Sequence, residues 1–202
     1  MTRVAYMFIG IDIRDEAGMA QYVEEAPPIL ASYGGRILAV DNDAELLDGV
    51  YRRERMVLLG FPSLEQARSF WKSPEYQPMK VLRERSSEQD CLLLEAFSDD
   101  PLPETGTGAV FMIGGGDTRD MEAMKPYYAE VPAISARFGV QAIAAGINFD
   151  QLDGGWPHKS FVCLRFPSED VFRKFWYGDE YLPYKTLREQ NADGMHMMVR
   201  GI

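Results

Sequence analysis

The chain has 202 residues, 46% of them hydrophobic and 12% aromatic, enough to bury one substantial core or two coupled smaller ones. A formal net charge of −10 and a pI near 4.7 repel a phosphate backbone, and no basic stripe offsets that field, so no nucleic-acid partner is expected. The opening MTRVAYMFIGIDIRDE places Asp12 and Asp15 directly behind its apolar run without a small-residue cleavage site, and no apolar stretch approaches the ~18 residues of a membrane span. The expectation is a cytoplasmic protein with no membrane partner, whose Cys91 and Cys163 are buried free thiols.

In chain order, Val4 to Ile11 is apolar on both alternating faces and predicts a strand covered on both sides. Asp15 caps a helix whose Met19, Tyr22, Ala26, Ile29 and Tyr33 recur at spacings of three and four. Pro27 and Pro28 remove backbone donors inside it and predict a kink or break near Ala26, and Gly34-Gly35 ends it. Arg36 to Val40 is the second strand, DNDAELLDG an extended hairpin or loop turning at Asp48-Gly49, and Arg55 to Phe61 the third strand. Ser63 caps a helix over Leu64 to Trp71, a third helix runs from about Glu75 to Arg85, and Cys91 to Phe97 is the last strand. The order β-α-β-β-α-β, with one extra helix, is the ferredoxin-like split βαβ.

The stretch FPSLEQARSFWKSPEYQPMKVLRE, beginning at Phe61, then returns as FPSEDVFRKFWYGDEYLPYKTLRE, beginning at Phe166. A single offset of 105 (166 − 61) aligns Val4/Ala109 through Phe97/Ile202 without a gap, so the chain is a duplicated module. The expected organisation is a first repeat over residues 1–97, an acidic Pro/Gly linker over 98–107 and a second repeat over 108–202. The second copy predicts a strand from Ala109 to Gly114, a helix from Met121 to Phe138, strands from Gln141 to Ala145 and Phe161 to Phe166, helices after Ser168 and Asp179, and a strand from Met195 to Val199.

Strands apolar on both sides need cover on the sheet face that the helices leave bare, and a second copy of the same sheet is the cheapest cover. The runs YVEEAPPILASYGGR and FPSLEQARSFWKSPEYQ, with the two-module length, resemble the domain of unknown function 1330 family of the dimeric α/β-barrel superfamily. The similarity spans essentially all of each repeat and is closer in the first; the second has Ala133, Val140 and Gln141 where the first has Pro28, Gly35 and Arg36. The resemblance implies an α+β fold in which tandem ferredoxin-like repeats form, as a fused pseudo-dimer, the barrel that most relatives make by homodimerising. Homodimerisation of the fused chain is left open. The wider superfamily holds cofactor-free monooxygenases, lactone isomerases, haem enzymes and sensory domains, so fold is implied more narrowly than function.

Polar and aromatic positions identical in both copies are the candidates for chemistry: Asp12/Asp117, Tyr22/Tyr127, Glu25/Glu130, Trp71/Trp176, Glu75/Glu180, Tyr76/Tyr181, Lys80/Lys185 and Arg83/Arg188. Tyr22 and Glu25 lie three apart before the prolines, where a partly buried carboxylate would serve as a general base. Tyr76, Lys80 and Arg83, spaced by four and three, line one side of a helix beside Trp71 and would hold an anionic aromatic ligand; a core-edge tyrosine and a Lys80–Glu84 surface pair is the plainer alternative. His158 follows the stiff turn Gly154-Gly155-Trp156-Pro157 and is a catalytic candidate of the second half alone. His158 and His196 show no carboxylate at ligand spacing and neither is helical, so neither a metal nor a haem is expected. Gly114-Gly115-Gly116 lacks a dinucleotide pattern and reads as room for a ligand or for close strand packing.

The expected function is cofactor-free general acid/base chemistry on a small aromatic or carbonyl-containing acid, of isomerase, lyase or monooxygenase type. Glu25/Glu130 would be the base, Tyr22/Tyr127 and Tyr76/Tyr181 would orient the substrate, and Arg83/Arg188 would bind its anion. The alternative is a non-catalytic small-molecule-binding or assembly module.

Overall fold

The computed structural model describes residues 3–202. The first repeat contains β1 (Ala5–Ile13), α1 (Glu16–Ser32), β2 (Arg36–Asp41), β3 (Glu45–Asp48), β4 (Arg55–Phe61), α2 (Leu64–Lys72), α3 (Tyr76–Ser86) and β5 (Ser87–Glu95). The second contains β6 (Val110–Thr118), α4 (Lys125–Arg137), β7 (Gln141–Gly146), β8 (Asp150–Asp153), β9 (Phe161–Phe166), α5 (Glu169–Trp176), α6 (Leu182–Asn191) and β10 (Ala192–Arg200). Among the described residues, no helix is long and apolar enough to cross a membrane.

The chain forms two compact units, and they are not its contiguous halves. The first unit builds the antiparallel sheet β2-β4-β1-β5-β8, whose last strand comes from the second repeat. The second builds β3-β10-β6-β9-β7, whose first strand comes from the first repeat. The arm expected at Asp48-Gly49, and its unforeseen counterpart at Asp153-Gly154, each add a four-residue strand to the final strand of the other copy, Leu92 facing Gln151 and Met197 facing Leu46. The arm tips fit only glycine. Gly49 and Gly154 have φ near +70°, and a Cβ there would meet the backbone oxygens of Gly194 and Gln89 at 2.1 and 2.0 Å.

Strand alternation sorts each sheet into two buried faces. In the first unit Met7, Ile9, Leu59, Cys91 and Leu93 pack beneath the helices with Met19, Leu30, Phe70, Trp71 and Tyr76, and Leu152 of the borrowed strand joins them. The alternate residues Tyr6, Phe8, Leu58, Leu92 and Leu94 are equally buried, and Trp156 lies edge-on to Phe8 with centroids 5.6 Å apart. In the second unit Val110, Met112, Ile134, Phe166, Phe172, Phe175, Trp176 and Tyr181 form the matching cluster, with Leu47 of its borrowed strand. Both cysteines are buried free thiols.

Several local expectations are corrected. The break at Pro27-Pro28 is absent, and α1 runs unbroken through both. The prolines deprive the carbonyls of Val23 and Glu24 of their donors, but both residues lie on the exposed side of the helix, where an unpaired carbonyl costs least. Helix α4 starts at Lys125 instead of Met121, because Asp120 accepts from the backbone of Glu122 and Ala123 in a separate turn and Pro126 suits a first helical turn. Strands β5 and β10 begin three to four residues earlier than their apolar runs, since polar residues from Ser87 and Ala192 onward still pair with β1 and β6. Ser63 and Ser168 cap α2 and α5 as expected, accepting from Gln66 and Val171.

Candidate functional site

In the first unit, five elements bring polar side chains to one point under the helices. Helix α1 contributes Tyr22, the end of α2 Trp71, α3 the series Tyr76, Lys80 and Arg83, β5 Gln89 and Cys91, and borrowed strand β8 Asp153. Arg83 is 0% exposed and donates from Nη1 to the Tyr76 hydroxyl at 2.7 Å; the Tyr76 and Tyr22 hydroxyls are 3.2 Å apart. The Arg83 guanidinium lies 4.9 Å and the Lys80 ammonium 4.7 Å from the Trp71 ring centroid, within cation–π range. Arg83 Nη2 stands 3.7 Å from Asp153, whose Oδ2 is instead held by the Gln89 amide at 2.6 Å. The Nε and Nη2 groups of Arg83 find no hydrogen-bond partner among the described residues. Burial pushes Tyr76 well above the ordinary phenol range, so it stays protonated, and pushes the Cys91 thiol up to about 12.

The second unit repeats the frame and fills it differently. The Tyr127 and Tyr181 hydroxyls are 3.4 Å apart, and Lys185 and Arg188 lie 4.8 and 5.3 Å from the Trp176 ring. Here Arg188 Nη2 donates to Asp48 Oδ2 at 2.5 Å, and His196 Nδ1 lies 2.8 Å from Asp48 Oδ1. Arg188 Nη1 is 2.7 Å from either imidazole nitrogen; with Nδ1–H donated to Asp48, Nε2 is the acceptor. Burial lowers the His196 pKa despite Asp48, which keeps the ring neutral. Burial opposes ionisation of Asp48, but His196 and Arg188 outweigh it and hold the carboxyl below its ordinary range. With both nitrogens engaged, His196 has no lone pair free for a metal or haem.

The structure thus gathers Tyr22, Trp71, Tyr76, Lys80 and Arg83, and their counterparts Tyr127, Trp176, Tyr181, Lys185 and Arg188. It separates the other candidates from them. Glu25 and Glu130 are exposed, and Glu25 accepts from Gln21 at 2.8 Å, so the burial expected of a base is absent: α1 turns Tyr22 inward and Glu25 to solvent. Asp12 accepts from Arg53 at 2.8 Å and from the Glu54 backbone at 3.0 Å, within a buried cluster where Asp90 also binds Arg53. Asp117 accepts from the Lys159 backbone at 3.0 Å and lies 3.5 Å from His158 Nδ1. Both aspartates tie a strand end to a loop. Glu75 and Glu180 bind Tyr33 and Arg137 at the surface. Gly114 makes room for an imidazole: a Cβ there would lie 2.6 Å from His196 Cδ2.

Asp48 and Asp153 were missed as site residues. They are identical at the 105-residue offset, but an Asp-Gly pair reads as a turn, and a turn residue is not sought beside an arginine of a distant helix.

Residues 4–97 and 109–202 each match the model of the DUF1330 domain of unknown function. The chain therefore belongs to the DUF1330 family, in two tandem copies. No curated protein matches it significantly. Among solved structures it is similar to a provisionally described monooxygenase from Lactobacillus acidophilus NCFM, at 12% identity and TM-score 0.54 over 99% of this chain and 98% of that one. An anthrone oxidase-like protein is similar at 10% and 0.54, over 100% and 92% of the two chains. So is chlorite dismutase from Candidatus Nitrospira defluvii in complex with imidazole, at 9% and 0.58 over 98% and 91%. At such identities the likeness is one of fold, the tandem ferredoxin-like, dimeric α/β-barrel class.

Proposed function

We propose that this member of the DUF1330 family is a cofactor-independent enzyme of isomerase, lyase or monooxygenase type that acts on a small aromatic or carbonyl-containing acid at the Tyr22–Tyr76–Arg83 site. The observation that carries this reading is Arg83, wholly buried yet with two nitrogens that find no hydrogen-bond acceptor among the described residues, Asp153 standing off at 3.7 Å. A buried guanidinium N–H without an acceptor is costly, and the carboxylate or enolate oxygen of a ligand supplies the acceptor. The Trp71 ring, 4.9 Å from the guanidinium, would border an aromatic ligand held there. Tyr76, kept protonated by burial and bonded to Arg83, donates to the developing enolate oxygen, and Tyr22 extends the proton path toward solvent. With Glu25 exposed, the carboxylate nearest the guanidinium is Asp153, and the base role passes to it. The proton on the carbon beside the carbonyl goes to Asp153, the electron pair goes to the oxygen held by Arg83 and Tyr76, and return of the proton to another carbon completes an isomerisation.

Phenylpyruvate incubated in D2O tests this without knowledge of the natural substrate, since exchange of its C3 protons can be followed by NMR. The protein should accelerate exchange above the buffer rate. Arg83→Met and Asp153→Asn should each remove the acceleration by about tenfold or more, and Glu25→Gln should leave it intact. The exposure of both Glu25 and Glu130 favours a second reading, a binding module without turnover; binding of phenylpyruvate with no accelerated exchange would establish it in place of the first.

A further inference from the structure

The two units share their tyrosines, tryptophan, lysine and arginine and differ at three positions around the arginine. Gln89 of β5 corresponds to Gly194 of β10, Cys91 to His196, and Ile9 to Gly114. The last two differences are one exchange of volume. Ile9 faces Cys91 across β1 and β5, a large side chain beside a small one, whereas Gly114 faces His196 across β6 and β10 and cedes its space to the ring. In the second unit Asp48 closes on Arg188 and His196 binds both, so the guanidinium edge is filled from within the protein. Gly194 has no side chain with which to hold Asp48 back. In the first unit Gln89 holds Asp153 at 2.6 Å, the carboxylate stays 3.7 Å from Arg83 Nη2, and Arg83 Nε and Nη2 are left without acceptors inside a side chain that is 0% exposed.

Building on the ligand site proposed above, we infer that the chain carries one anion-binding site, in the first unit, for a small planar carboxylate whose oxygens accept from Arg83 Nε and Nη2. Asp48 and His196 are the built-in occupants of its counterpart. Gln89 is the positioning residue that leaves those two nitrogens to a ligand by holding Asp153 off the guanidinium.

Benzoate is a suitable probe, titrated into the full chain while the arginine Nε–H and tryptophan indole signals are followed by NMR. One benzoate should bind per chain, shifting Arg83 and Trp71 and leaving Arg188 and Trp176 unmoved. Gln89→Gly should weaken binding about tenfold or more, because Asp153 then takes the place of the ligand oxygens. Asp153→Ala in the Gln89→Gly background should restore it, a rescue that a merely structural glutamine would not show. Shifts at Arg188 as well as Arg83 would overturn the asymmetry while leaving the first site standing. Unweakened binding in Gln89→Gly, or failure of the rescue, would overturn the role of Gln89, and silence at Arg83 would overturn the ligand site itself. Single-site benzoate binding without phenylpyruvate exchange would reject the enzyme reading and leave this inference intact.

Discussion

Arg83 and Arg188 hold equivalent positions on α3 and α6, yet one faces a carboxylate at 3.7 Å and the other at 2.5 Å, and the difference originates on the strands beneath. The filled site carries a pH signature. His196 has its pKa lowered from 6.5 by burial, with Arg188 adding to the effect and Asp48 opposing it. Below pH 6.5 the unfolded chain takes up the proton first, so the stability this group contributes is complete above 6.5 and is lost as pH falls through the lowered folded value. The melting temperature should therefore drop between pH 7 and 5 more steeply in the wild type than in His196→Gln, as calorimetry across that range would read. Much of this site was legible in the sequence: the tyrosine, lysine and arginine spacing and the tryptophan stood out because both copies keep them. Gln89 and the Cys91/His196 exchange did not, because a search for identity between repeats is blind to the positions where they diverge. The burial expected of Glu25 is absent for a geometric reason, since three residues of helix separate two side chains by about 60° around the axis, enough to put one inside and the other in water.

At the scale of elements, the arms β3 and β8 are the feature that local pattern could not reveal. A four-residue strand such as ELLD announces extended backbone, but nothing in it states which sheet edge it joins. The Asp48-Gly49 turn did announce itself, and its counterpart at Gly154 can be weighed against a control. Gly154 and Gly106 share a φ near +70°, but a Cβ on Gly154 would meet the Gln89 oxygen at 2.0 Å, whereas nothing lies within 4 Å of one on Gly106. Gly106→Ala should cost about 1 kcal/mol, the conformational penalty alone, and Gly154→Ala about 2 kcal/mol or more, measured by urea denaturation. Equal losses would show that the arm yields and that its seating on β5 is loose. The prolines of α1 teach the complementary lesson: a rule about donors predicts a break only where the bereft carbonyls are dry.

At the scale of the molecule, each repeat is short of one strand of its own sheet. The first repeat expressed alone would expose Cys91 to Leu93 of β5 as an uncovered edge and would lose Asp153 from the site. We expect each half to be unfolded or aggregated by itself and the two halves to recover a native circular-dichroism spectrum when co-expressed; a stable, monomeric first half would show the borrowed strand to be dispensable. The same exchange sets a timetable for biosynthesis. The pairing of β3 with β10 joins residues 148 positions apart, His196 to Asp48, and the first sheet waits for β8. A growing chain therefore cannot complete its N-terminal unit until residues near Asp153 have left the ribosome, and for that interval two strand edges remain bare. Loop closure over such spans is slow and leaves a chain open to association with its neighbours. Synthesis, more than finished stability, is the stage at which this protein depends most on a dilute or chaperoned surrounding.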